Sequence, residues 1–97
     1  SLQVTSEALM ETMEQNTVKN RDCYAVHTGD YVGQMFIVCE VTDKEVGCLS
    51  VPDMKNVQVP NDKWTIGRNS DIIEYVEEMP EDVFSVCSAQ YNENSNN

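Results

Sequence analysis

The stretch "FIVCEVTDKEVGCLSV", residues 36 to 51, decides how the rest of the chain is read. Two apolar arms rich in β-branched residues flank the charged turn Thr42-Asp43-Lys44-Glu45, and each arm carries one cysteine. This is the pattern of a β-hairpin. Centring the turn on Asp43-Lys44 sets the register: Val41 faces Val46, Glu40 faces Gly47, Cys39 faces Cys48, Val38 faces Leu49 and Phe36 faces Val51. Side chains alternate along a strand, so Phe36, Val38, Leu49 and Val51 are expected on one face. Ile37, Cys39, Val41, Val46 and Cys48 are expected on the other. Both faces are largely apolar, which predicts a ribbon covered on both sides or curled into a small barrel.

Working outward, Thr5 or Ser6 can cap a helix from about Ser6 to Gln15, with Leu9, Met10 and Met13 at helical spacing. The segment "DCYAVHTGDYVG" predicts a strand through Val26, then a loop with glycines at 29 and 33. "VQV" at Val57 to Val59 predicts a short strand, stopped by Pro60-Asn61-Asp62. A second helix is expected near residues 70–79, capped by Asn69, Ser70 or Asp71, lined by Ile72, Ile73, Val76 and Met79, and ended by Pro80. "DVFSVCSAQY", Asp82 to Tyr91, predicts a final strand, and "NENSNN" has nothing apolar to bury.

The fold class is therefore α+β: one small domain over residues 1–91 with a disordered polar tail at 92–97. Its expected core is a curled antiparallel sheet of about four to five strands, with the N-terminal helix and the second helix packed on it. The rhythm from "DCYAVHTGDYVGQMFIVCEV" to "VQVPNDKW", strand, glycine-bearing loop, long hairpin, short strand, resembles an SH3-like barrel. The resemblance spans about half the chain, rests on spacing, and carries no binding residues with it.

At 97 residues there is room for a single core, and such a chain buries roughly 65% of its unfolded surface on folding. The longest purely apolar run is "MFIV" at Met35 to Val38, too short to span a membrane. The opening "SLQVTSEALMETMEQ" carries acids where a secretory signal carries bases, so a cytoplasmic setting is expected. Seventeen acids against six bases leave a net charge of −11. Nucleic acid and anionic membrane are poor partners for that field, because phosphate contacts need clustered Lys and Arg. A basic protein surface, or another copy of the chain, is the expected partner.

Four cysteines, at 23, 39, 48 and 87, form no Cys-x-x-Cys pair, and His27 is the only histidine. No metal or cofactor is expected from such spacing. Cys39 and Cys48, opposite one another in the expected register, form a possible cross-strand thiol pair that stays reduced in the cytoplasm. Asp71, Glu74, Glu77 and Glu78, extended by Glu81 and Asp82, are expected on the outer face of the second helix. Tyr31 in the first loop, with Trp64 and Arg68 before the second helix, completes the candidate binding residues. The expected function is a small acidic non-enzymatic binding or regulatory protein contacting a basic protein surface, a class that includes accessory proteins of phages and mobile elements. The alternatives are a cysteine-dependent enzyme or redox protein pairing His27 with a thiol, and a subunit of a larger assembly.

Overall fold

The structure, a computed structural model, describes residues 18–61 and 73–96. Among these residues five strands, β1 (Asp22–Val26), β2 (Met35–Val41), β3 (Glu45–Val51), β4 (Asn56–Pro60) and β5 (Ile73–Glu78), precede one helix, α1 (Glu81–Ser95). They form a small α+β domain. The strands make one antiparallel sheet in the order β4-β3-β2-β1-β5. β4 and β5 stand at opposite ends of that order, so the sheet is open and the SH3-like barrel is not formed. Its hairpins cross over only once, between β4 and β5, and α1 buries one face without closure.

The central hairpin follows the expected register at its turn and leaves it three residues later. Thr42 closes the turn: its N–H donates to the Glu45 carbonyl at 3.0 Å, and its Oγ1 accepts from the Glu45 N–H at 3.1 Å. Val41 pairs with Val46 and Glu40 with Gly47, as the turn dictates. A bulge between Val38 and Glu40 then admits Cys39 as an extra residue, and beyond it Val38 pairs with Cys48, Ile37 with Leu49 and Phe36 with Ser50. A shift of one residue moves side chains to the opposite face. Phe36 and Val38 therefore pack with Val46 and Cys48, beside Tyr24, Val26 and Ile73. Ile37 and Leu49 pack on the other face with Cys23 and Cys87, where Cys39 joins them. The cross-strand thiol pair is thereby corrected: Cys48 lies in one cluster and Cys39 in the other, and all four cysteines are free thiols.

Two elements differ in type from the sequence expectation. Residues 73–78, expected within the second helix, are strand β5, paired with β1 from Ile73 against Val26 to Glu78 against Asp22. Ile73 and Tyr75 alternate onto the cluster around Tyr24, and a bulge opposite Cys23/Tyr24 leaves Val76 outside the register. Ladder pairing and burial of two large side chains outweigh the helical spacing of a six-residue run.

Residues 82–91, expected as a strand, belong to α1. Pro80 stands at its N-cap, Glu81 and Asp82 suit the positive end of the helix, and Cys87 and Tyr91 are buried one turn apart. The tail expected at 92–97 is helical through Ser95. Polar bonds hold it to the sheet: the Asn56 amide donates to the Tyr91 carbonyl at 2.9 Å and to Ser95 Oγ at 3.0 Å, and the Asn94 amide donates to the Met54 carbonyl at 3.0 Å. The helix expected at 6–15 lies outside the described residues. Among those that are described, no helix is long and apolar enough to cross a membrane.

Candidate functional site

The loop from His27 to Gln34 joins β1 to β2 and places Tyr31. Gly29 at φ 98° and Gly33 at φ 86° take the left-handed turns that a side chain disfavours. Gly33 donates its N–H to the Val26 carbonyl and Val26 donates to Gln34, each at 3.0 Å, so the loop closes as a continuation of the ladder. Tyr31 meets Phe36 edge to face, with ring centroids 5.6 Å apart and planes at 63°. Together with Val26, Val57, Val59 and Ile73 these rings line a hollow of about 210 Å³ on the face opposite α1. The exposed Thr28 and Asp30 line it as well.

Sequence reasoning singled out Tyr31 but not the hollow around it. Val57 and Val59 are two apart on β4, which signals a shared face. That they share it with Phe36 and Ile73 depends on the Val38/Glu40 bulge and on residue 73 being in a strand.

The acidic candidates divide. Glu74, Glu77 and Glu78 are exposed on β5, the end strand of the described sheet, and Glu81 and Asp82 follow at the start of α1. They form no helical stripe: successive strand residues point to opposite faces, so Glu77 and Glu78 diverge. Two basic side chains meet them. Arg21 Nη2 lies 3.6 Å from Glu78 Oε1, and His27 Nε2 lies 3.9 Å from Glu74 Oε1. Arg21 is itself held to the chain, its Nε donating to the Met79 carbonyl at 3.0 Å. Asp71, Trp64 and Arg68 lie outside the described residues, so the structure brings together Glu74, Glu77 and Glu78 alone from that group.

The thiols are placed against reactivity. Burial pushes Cys23 up to about 11, with the charges of Glu77 and Cys87 adding to the effect. Burial likewise pushes Cys39 up to about 11, with Cys87 adding to it. Cys48 and Cys87 are raised by burial too. Among the described residues no group of three or more His, Cys, Asp or Glu side chains is arranged to hold a metal ion.

The far end of α1 holds a polar cluster that sequence reasoning did not anticipate. Buried Tyr91 lies over Gly47, its hydroxyl accepting from the Gln58 amide at 2.8 Å and donating to Glu40 at 3.1 Å. Burial raises the pKa of that hydroxyl. The bonds run between α1 and the strands, so the cluster docks the helix. No family model, no curated protein and no solved structure matches this chain.

Proposed function

We propose that this chain is a small acidic, non-enzymatic binding or regulatory protein that contacts a basic protein surface in the cytoplasm. The observation that carries the reading is the set of exposed carboxylates on an end strand, Glu74, Glu77 and Glu78, followed in sequence by Glu81 and Asp82. It lies on a chain of net charge −11. Such a field speeds encounter with a basic partner and repels nucleic acid.

The thiols support the same reading over a cysteine-dependent enzyme. A nucleophilic cysteine works as thiolate, and a thiol raised to about 11 holds almost none at neutral pH. His27, the one histidine, points to Glu74.

The test is affinity capture at low and moderate salt, followed by association kinetics with the captured partner. Glu74→Gln with Glu77→Gln removes two exposed charges at little cost to folding. The association rate is expected to fall, and its salt dependence to flatten, because the screening length shrinks from ~30 Å at 0.01 M to ~10 Å at 0.1 M salt. An unchanged rate and an unchanged salt slope would refute the proposal.

A further inference from the structure

We infer that the Tyr31 hollow is the anchoring pocket of this interaction, receiving one aromatic side chain from a partner segment whose flanking Lys or Arg faces Asp30. The inference rests on the basic-partner reading above and gives it a place and a recognition element.

Size decides the class of occupant. A drug-sized ligand needs about 300–1,000 Å³, whereas a dry apolar cavity of about 150 Å³ already takes benzene. At about 210 Å³ the hollow suits a single ring. Its lining is almost wholly apolar, although the exposed Thr28 and Asp30 belong to it. Val26, Val57, Val59 and Ile73 offer aliphatic surface, and Tyr31 and Phe36 present an existing edge-to-face pair that a third ring can extend. Asp30, exposed in the same lining, supplies the negative charge that selects a base next to the ring. An aromatic anchor in a well-packed apolar pocket is where interfaces concentrate their binding energy. The loop that carries Tyr31 is already held by the Gly33 to Val26 and Val26 to Gln34 bonds, so little ordering is needed on binding.

The test is methyl and amide NMR of the full chain at low salt with three blocked tripeptides: Lys-Phe-Lys, Lys-Ala-Lys and Glu-Phe-Glu. Lys-Phe-Lys is expected to move the methyl signals of Val26, Val57, Val59 and Ile73 and to bind at least tenfold tighter than Lys-Ala-Lys. Glu-Phe-Glu is expected to leave those signals in place. Asp30→Asn should weaken Lys-Phe-Lys two- to threefold, and Val59→Phe, which fills the hollow, should remove the aromatic preference.

Equal binding of Lys-Phe-Lys and Lys-Ala-Lys, with the hollow undisturbed, would overturn the anchoring pocket and leave the basic-partner reading standing. Equal binding of Lys-Phe-Lys and Glu-Phe-Glu would overturn the pairing with a basic segment and count against that reading as well. No binding by any of the three would overturn the pocket. Nuclear Overhauser contacts from the Trp64 indole to Val57 and Val59 in the free protein would also overturn it, by giving the hollow to the chain's own segment 62–72.

Discussion

Gly47→Ala tests the seating of α1 with a single methyl group. Gly47 is buried in β3, and it is absent from the glycines with positive φ, so alanine meets no backbone obstacle there. The obstacle is Tyr91. A Cβ at position 47 would lie 2.8 Å from Tyr91 Cζ and 3.2 Å from Gln58 Oε1, and closer still to Tyr91 Oη. The ring has to move, yet it is only 4% exposed. Overpacking of this kind costs ~1–3 kcal/mol. Moving the ring also breaks the hydroxyl's bonds with Gln58 and Glu40, each worth about 1 kcal/mol net. Alanine regains about 0.5–1 kcal/mol over glycine in a strand. The expected net cost is about 2–4.5 kcal/mol.

The control is Tyr91→Ala. In that background the new methyl enters empty space, and Gly47→Ala should be neutral or stabilising by about 0.5–1 kcal/mol. The double-mutant cycle should therefore show a coupling of about 3–5 kcal/mol. Urea unfolding reads it: at a slope of ~1–3 kcal/mol/M the single variant shifts the midpoint by roughly 0.7–4.5 M. An equal cost in both backgrounds would refute the contact, and with it the docking of residues 87–95 as a helix on β3.

Deleting Cys39 should cost no more than about 2 kcal/mol in urea unfolding, an ordinary single-mutation effect, because it removes the bulged residue and leaves the pairs Val38–Cys48 and Glu40–Gly47 intact. Unfolding of the deletion variant would mean that the strand is regular. Treatment of the native protein with a thiol oxidant should yield no Cys39–Cys48 bridge by peptide mass, since the two lie in clusters on opposite faces. Raising the pH from 9 toward 11 should lower the urea midpoint. The unfolded thiols ionise near 9.0 while Cys23 and Cys39 hold their protons to about 11, so the stability present below pH 9 is lost through that window. Asn94→Ala should cost about 1–2 kcal/mol and strip amide-exchange protection from residues 92–95, because Asn94 donates to Met54 O and Asn56 Oδ1. Protection retained there would show that other contacts hold the helix end.

The misread elements share a physical cause. Val83, Cys87 and Tyr91 are four apart, a separation that places residues on one face of a strand and equally on one face of a helix. Alternation sets Val83, Cys87 and Tyr91 against Phe84 and Val86 as in a strand, yet Val86 is 66% exposed and does not mark a buried face. The better signal lay at Pro80-Glu81-Asp82, an N-terminal signature followed by Phe84, Cys87, Tyr91 and Asn94 at spacings of three and four. In residues 73–78, Ile73 and Val76 fit a helix while Ile73 and Tyr75 fit a strand. Only the partner strand decides between them. The tail was misjudged by a different route: its asparagines bury no apolar surface, but Asn94 and Asn56 supply bonds that composition does not count.

The hairpin was legible until Cys39, and that one residue governs both sides of the sheet. In a regular ladder Val38 and Glu40 would share a face, so a core valine and an exposed carboxylate would compete for the same environment. The bulge resolves the conflict. It leaves Val38 fully buried beside Tyr24 and Cys48, while Glu40 reaches Tyr91 on the helix side. The same offset puts Phe36 in the cluster with Val57, Val59 and Ile73, forming the wall of the hollow. With every residue kept in a regular ladder, Phe36 would instead face α1 and Tyr31 would lose its ring partner. A register slip invisible in residue types thus connects helix docking at one end of β2 with the proposed anchoring pocket at the other.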